Sequence, residues 1–409
     1  MAEFVYNRGS VSEMKTEKTK ETGEQKMKAY DYVVVGSGLY GAVFAREAVK
    51  KGKKVLVIDK RPNIAGNVYT EQMEGIHVHK YGAHIFHTNS KKVYDYLSRF
   101  TKWYDYRHEV VGNIYGKELP IPFNLNTLSM VFGERAPHLE EILIREFGEG
   151  ARVPILQLMN HENPELKEIA DYVYENIFLK YTMKQWGKSP KEIDPAVSGR
   201  VPVLLSRDNR YFQDTYQGMP KDGYTQIFEQ MLDYEGIELR LDCDAKKILT
   251  IQPDSDTPVL LDGSVFEGNV IYTGALDELF DCCYGRLPYR SLRFDFEHYD
   301  KPFYQSHGVV NYTVSEDYTR ITEFKYLSGQ LDKKDTTIVK EYPMPYSGKE
   351  GEIPYYAINN PENQERFEQY EKLVSKIPGF YLLGRLAEYK YYNIDAIVER
   401  ALSLAADID

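Results

Sequence analysis

YDYVVVGSGLYG, from Tyr30 to Gly41, reads as a strand that runs into a glycine turn and out into a helix. The β-branched and aromatic run Tyr32 to Val35 has the pattern of a buried parallel strand. Ala42 to Lys51 then has helical character. Gly36 permits the turn, and Gly38, lacking a Cβ, lets a pyrophosphate approach the backbone. Gly41 lets helix and strand pack closely, and the unpaired N–H groups of the helix N-terminus face the phosphates. GxGxxG alone is weak. Here a second strand, Lys54 to Ile58, ends at Asp59, and a carboxylate about 20 residues beyond the glycines is where a ribose hydroxyl is held. A ligand-free βαβ turn is the competing reading, and the complete context argues against it.

The chain has 409 residues and a net charge of −11, spread rather than blocked. That is enough for two or three domains, and it carries no basic stripe for nucleic acid. No apolar run approaches the length of a membrane span. Cys243, Cys282 and Cys283 form no CxxC pair and no disulfide framework, so a reducing cytoplasm is expected. The 35 tyrosines are the unusual number. Tyrosine stacks on flat rings and donates a hydrogen bond, which suits a polar, ring-bearing ligand, although most of them simply cover half-buried surface.

Residues 1–28 are polar and charged without an apolar segment, and read as a disordered leader rather than a signal peptide, with Met27 an alternative start. After Asp59, Lys60-Arg61 and the small-residue turn to Gly66-Asn67 are typical of FAD sites rather than NAD sites. His77, His79, His84 and His87 fall within eleven residues and invite a metal reading. No Cys, Asp or Glu nearby completes a ligand set, so no metal is expected; Gly82 and Ala83 suggest backbone against a flat ring. His77 and His79 also read as histidines of a polar interior. Lys91 to Phe100 reads as a helix, and Trp103 to Val111 with Asn113 to Leu119 as a hairpin. Leu125 to about Lys188 is helical, broken at Gly187 and Pro190. Asp222 to Leu232 is a helix, and Ile237 to Leu241 and Val270 to Thr273 are further strands of the nucleotide fold. Gly308 to Tyr312, Arg320 to Tyr326 and Thr337 to Tyr342 alternate as an antiparallel sheet. Phe380 to Leu383 enters Gly384-Arg385, and a helix spans Asp395 to Ala406.

The fold class expected is therefore α/β: a Rossmann-like FAD-binding domain with an inserted helical domain and an antiparallel β-sheet domain. Residues 29–100, 221–285 and 360–409 would form the first, 125–200 the helical part with a mobile substrate loop, and 101–124, 201–220 and 286–359 the sheet.

The blocks GSGLYGAVFA, HKYGAHIFHTN, YTMKQWGKS, YQGMPKDGYT, YRSLRF, KEYP and LLGRLAEYKYYNID, collinear from Tyr30 to the C-terminus, resemble the UDP-galactopyranose mutases of the bacterial type. The resemblance implies a flavin-dependent, redox-neutral isomerase that interconverts UDP-galactopyranose and UDP-galactofuranose, feeding cell-wall polysaccharide. FAD would be active when reduced, its N5 forming a covalent adduct with the sugar. The implied partners are a UDP-sugar, a flavin reductant such as NAD(P)H, and a second copy of the chain in a homodimer.

Site residues carry over motif by motif. Arg200 and Arg320 would clamp the diphosphate, since arginine forks pair bidentately and stay charged. Tyr181, Thr182 and Trp186 match the uridine segment. Tyr211, Tyr356 and Tyr391 match tyrosines at the diphosphate or sugar, and His108, Arg290, Asn311 and Glu341 match polar residues around sugar and flavin. His84, with a catalytic role, and Ile85 and Arg385 would lie by the flavin ring. Gly36, Gly38, Tyr40, Gly41, Asp59, Lys60, Gly66, Asn67, Gly384, Asn393 and Ile394 would hold the nucleotide and flavin. Three positions depart: Asn393 stands where relatives usually carry Asp, Ala65 where Gly is common, and Asp59 where Glu is common. Asn393 raises the alternative of a related sugar nucleotide, N-acetylated or deoxy. An FAD oxidoreductase of amine-oxidase type leaves the paired arginines unexplained. A binding protein without chemistry conflicts with the intact GxGxxG, Asp59 and Gly384-Arg385.

Overall fold

The computed structural model describes residues 30–186 and 202–408. The leader and the Gly187–Pro190 break lie outside the described residues, as does Arg200 with its loop. A five-stranded parallel sheet runs in the order Ile237–Arg240, Val55–Ile58, Tyr32–Val35, Asn269–Tyr272, Phe380–Leu382. Tyr32–Val35, called β1, is buried on both faces: Tyr32 and Val34 enter one hydrophobic cluster, Val33 another. Helix α1, Leu39–Lys50, follows the glycine turn and packs on the last helix, Ile394–Asp407. Gly36 has φ +107, and a Cβ on Gly41 would stand 2.0 Å from the Gly36 carbonyl oxygen, so both glycines are dictated by the turn itself.

A seven-stranded sheet stands beside it, ordered Tyr356–Ala357, Tyr289–Tyr299, Thr336–Pro345, Arg320–Glu323, Val309–Tyr312, Val110–Ile114, Lys117–Ile121. It is antiparallel except for Val309–Tyr312 with Val110–Ile114, which run parallel. Alternation along a strand cannot reveal that pairing. The hairpin is also displaced from the expected one. Its strands are Val110–Ile114 and Lys117–Ile121, turning at Tyr115 and Gly116, both at positive φ. Trp103–Tyr104 instead pairs with Met219-Pro220. Arg320–Tyr326 is a strand only to Glu323; Phe324–Ser328 is a short helix stopped by Gly329 at φ +71.

The helical segment spans Leu125–Phe132, Ala136–Phe147, Ile155–Met159 and a continuous run from Pro164 to Trp186, with a wider turn over Tyr174–Leu179. Leu139, Leu143, Leu166, Ile169 and Val173 meet there in a core that also takes Val110 and Val309 from the sheet. No helix among the described residues is long and apolar enough to cross a membrane.

Candidate active site

Register brings five of the candidate residues onto one sheet face. Directly opposed residues on neighbouring strands share a sheet face. Asn311 is opposite Arg320, Arg320 opposite Glu341, and Glu341 opposite Phe294. Arg290, four residues before Phe294 and so on the same face, is opposite Tyr356. One face thus collects Tyr356, Arg290, Glu341, Arg320 and Asn311, whose outermost members, Arg290 and Tyr356, lie 66 residues apart in sequence. Glu341 is 1% exposed and its Oε2 lies 2.7 Å from Arg320 Nε. Burial works against the Arg320 charge, but Glu341, with Tyr181 and Tyr356, holds the guanidinium above its ordinary range.

Tyr181, on the helix Lys180–Trp186, lies close enough to this face to feel Arg320, Glu341 and Tyr356, and its neighbour Thr182 is buried. Trp186 ends that helix, and its side chain is outside the described part. Burial, moderated by Arg320, pushes the Tyr181 hydroxyl up, so it stays a neutral donor. Lys184, one turn further, donates to the carbonyls of Tyr312 (2.5 Å), Glu316 (2.8 Å) and Tyr318 (3.4 Å). It ties the Tyr181 helix to the loop that leads into Arg320. His108 is buried, accepts or donates at Nδ1 with the Tyr106 hydroxyl at 3.1 Å, and lies 5.8 Å ring to ring from Tyr211. Burial first, then Arg320 and His87, take its pKa down to about 3.

The turn after Ile76–His79 brings His84 to the same region. The missing Cβ of Gly82 faces the Phe294 ring (3.0 Å) and Glu341 Oε1 (3.5 Å), so this turn lies on the sheet face. Ile85 is half-buried against the main core. Arg385 donates to the Tyr392 carbonyl, 2.8 Å from Nε, and its guanidinium lies over the Tyr391 ring at 4.9 Å, while Tyr391 stacks on Tyr356 at 6.0 Å. Asn393 caps the last helix, Ile394–Asp407, without a side-chain bond to it, and Ile394 is buried.

At the glycine turn the cradle for a dinucleotide is open. Gly38 caps α1 without any side-chain hydrogen bond and no acidic residue occupies the first turn. A Cβ on Gly38 would meet only the Gly66 backbone, at 3.6 Å. Gly384, at φ +113, leaves room for the Tyr40 ring, whose buried hydroxyl faces the Arg385 backbone N–H and finds no protein acceptor for its own proton. Asp59 is buried and already accepts from Ser37 N (2.8 Å), Ser37 Oγ (2.7 Å) and Arg61 N (3.0 Å). It secures the turn at least as much as it offers a lone pair to a ribose. Lys60 points outward, 64% exposed and 3.7 Å from Glu278. Its neighbour Arg61 turns in: Nη2 donates to Asn67 Oδ1 (2.8 Å), the guanidinium covers the Tyr81 ring at 4.6 Å, and Nη1 is buried without a partner. The unfilled donors on Arg61 and Tyr40 and the bare α1 terminus suit a large anionic, ring-bearing group of the FAD type. Ala65 takes φ +72, a left-handed conformation for which glycine is the easier choice.

Arg61 and Lys184 escape a reading by sequence. A basic pair does not say which member faces inward, and a lysine at a helix end reads as solvated. His77, His79, His84 and His87 do not converge, and among the described residues no three His, Cys, Asp or Glu side chains gather as a metal site needs.

Residues 176–391 match the family model described as UDP-galactopyranose mutase, and residues 34–100 that of an NAD(P)-binding Rossmann-like domain. A UDP-galactopyranose mutase of Mycoplasma pneumoniae is 32% identical over 389 residues, 93% of this chain and 96% of that protein. A dTDP-fucopyranose mutase of Escherichia coli is 33% identical over 378 residues, 91% and 97% of the two chains. Among solved structures, reduced UDP-galactopyranose mutase superposes with a TM-score of 0.67 at 14% identity, covering 92% of this chain and 94% of that one, a likeness of fold.

Proposed function

Since the chain belongs to the UDP-galactopyranose mutase family, we propose that it interconverts UDP-galactopyranose and UDP-galactofuranose without net redox change, with FAD as cofactor. The observation that carries the reading is the single sheet face bearing Arg320, Glu341, Asn311, Arg290 and Tyr356 opposite the His84 turn and Arg385.

The α1 terminus, Gly38, Gly66, Asn67, Arg61 and Tyr40 would hold the nucleotide, with His84, Ile85, Gly384, Arg385, Asn393 and Ile394 around the flavin ring. Reduced flavin, when bound, supplies a nucleophilic nitrogen for the anomeric carbon. The protein's own work is to keep hold of a diphosphate that leaves and must return. Arg320 is fixed for this: its counter-ion Glu341 is buried beneath it, so the guanidinium stays charged while one edge remains for the phosphates. Arg200 is read as its partner. Tyr181, Thr182 and Trp186 would seat the uracil, and Tyr211, Tyr356 and Tyr391 the diphosphate and sugar. His108, neutral by burial, and Asn311 would bind sugar hydroxyls without bringing another charge beside Arg320. On the same reading the chain divides as nucleotide part, helical part and sheet part with the boundaries given above, works as a homodimer in the cytoplasm, and takes electrons from a reductant such as NAD(P)H.

The 33% identity to a dTDP-fucopyranose mutase, together with Asn393, supports a second reading: a mutase for a deoxy or N-acetylated sugar nucleotide. A panel of UDP- and dTDP-linked pyranoses and furanoses, offered to the dithionite-reduced protein, decides between them. Turnover confined to dTDP-sugars would overturn the first reading.

A further inference from the structure

The histidine-rich stretch is only partly absorbed by this function, and its hydrogen bonds fix where its protons sit. Within His79–His84 three bonds close on one another. Gly82 N donates to the His79 carbonyl (3.3 Å), His84 N donates to His79 Nδ1 (3.1 Å), and His84 Nδ1 meets the Gly82 carbonyl (2.8 Å). A carbonyl oxygen accepts only, so His84 Nδ1 carries a proton. A backbone N–H donates only, so His79 Nδ1 carries none. His79 is 4% exposed, against Tyr224 and Phe324 rings. The charged groups facing His84 are Arg385 and Arg320, both of which resist a further positive charge; Glu341, the nearest carboxylate to Gly82, is engaged by Arg320. Burial and these arginines together take His84 down to about 4, and burial, with His84 and His77, takes His79 down to about 3.

We infer that the His79–His84 turn locks its two histidines as opposite neutral tautomers, so that His84 presents Nε2 as a hydrogen-bond acceptor, and that His79 is the residue that positions it. His84 then receives a hydrogen bond from an N–H or O–H donor of the bound ligand and does not deliver a proton to it. Which ligand group donates rests on the mutase reading; the tautomers themselves do not.

The test is the flavin-loaded full chain labelled with ¹⁵N-histidine, observed by long-range ¹H–¹⁵N correlation, with His84→Gln to assign the signal. The expected result is a single His84 species protonated at Nδ1 only, unchanged from about pH 8 to about pH 5, the range over which an ordinary histidine changes charge. An Nε2–H species, or an imidazolium within that range, would overturn the inference. His79→Phe removes the acceptor for His84 N–H, and a second His84 tautomer is expected to appear. His79→Gln, whose amide oxygen accepts in its place, is expected to restore the single species. A pure Nδ1–H signal in His79→Phe would refute the positioning role. If His79→Phe does not fold, the wild-type spectrum still decides the tautomers. These readouts need no turnover, so a failure of the mutase reading leaves them standing.

Discussion

Arg320 and Glu341 face each other across neighbouring strands, with 2.7 Å between Nε and Oε2 and the glutamate 1% exposed. Removing one member of such a pair leaves the other charge uncompensated, at a cost of about 3 kcal/mol or more. Glu341→Gln is therefore expected to lower the unfolding free energy, measured by urea denaturation, by that order. Arg320→Ala is expected to nearly abolish turnover while flavin stays bound, and Arg200→Ala likewise. Loss of flavin in either arginine variant would mean that these residues serve the cofactor instead.

Lys184 joins three carbonyls of the Tyr312–Tyr318 loop to the helix carrying Tyr181 and Thr182. A charge-assisted bond contributes about 2 kcal/mol. Lys184→Met is expected to lower kcat/KM for the sugar nucleotide by roughly 10- to 30-fold, mainly through KM, with flavin content unchanged. Steady-state kinetics check this; a loss confined to kcat would contradict it.

The glycines of the turn separate by role. Gly38 has φ −70, and an added Cβ finds ordinary contact, so Gly38→Ala is expected to fold with the melting temperature of the flavin-free wild type yet lose most of its bound flavin. Gly41→Ala places a methyl 2.0 Å from a carbonyl oxygen and is expected to unfold or precipitate. Absorbance of bound flavin and thermal melts distinguish the two. Full flavin retention in Gly38→Ala would remove the pyrophosphate from this turn.

His79 and His108 are buried with pKa values taken down to about 3. The unfolded chain binds protons at these positions below about pH 6.5 and the folded chain does not, so stability falls as pH drops through that window. Each contributes a slope of up to about 1.4 kcal/mol per pH unit. Unfolding midpoints from pH 7 to pH 5 should decline, and His108→Asn should flatten that decline. An unchanged slope in the variant would show that His108 is protonated in the native state.

The nucleotide-binding half was legible because its signals are local. A both-faces-buried strand, glycines at fixed offsets and a carboxylate after the next strand all fall between Tyr30 and Asp59. The sheet face that carries Arg320 and Glu341 was singled out only through resemblance. Asn311, Arg320, Glu341 and Arg290 become neighbours through register, and register across sequence-distant strands leaves no trace in a single chain. Local pattern also misled. The alternating Thr322, Glu323, Phe324 and Lys325 extended a strand where a short helix begins, because buried Lys325 donates to the Pro302 and Lys333 carbonyls and so sits where an apolar residue was expected. The hairpin slipped because Tyr115 takes the positive φ that Asn or Gly usually announces. Spacing points Asp59 at a ribose hydroxyl, and it does not show that Ser37 and Arg61 donate to the same carboxylate.

The most direct test of the account is the flavin-loaded protein, reduced with dithionite under anaerobic conditions and given UDP-galactofuranose. The prediction is catalytic conversion to UDP-galactopyranose with the flavin still reduced at the end, and none from the oxidised protein. No conversion, or one flavin oxidised for each sugar consumed, would contradict it.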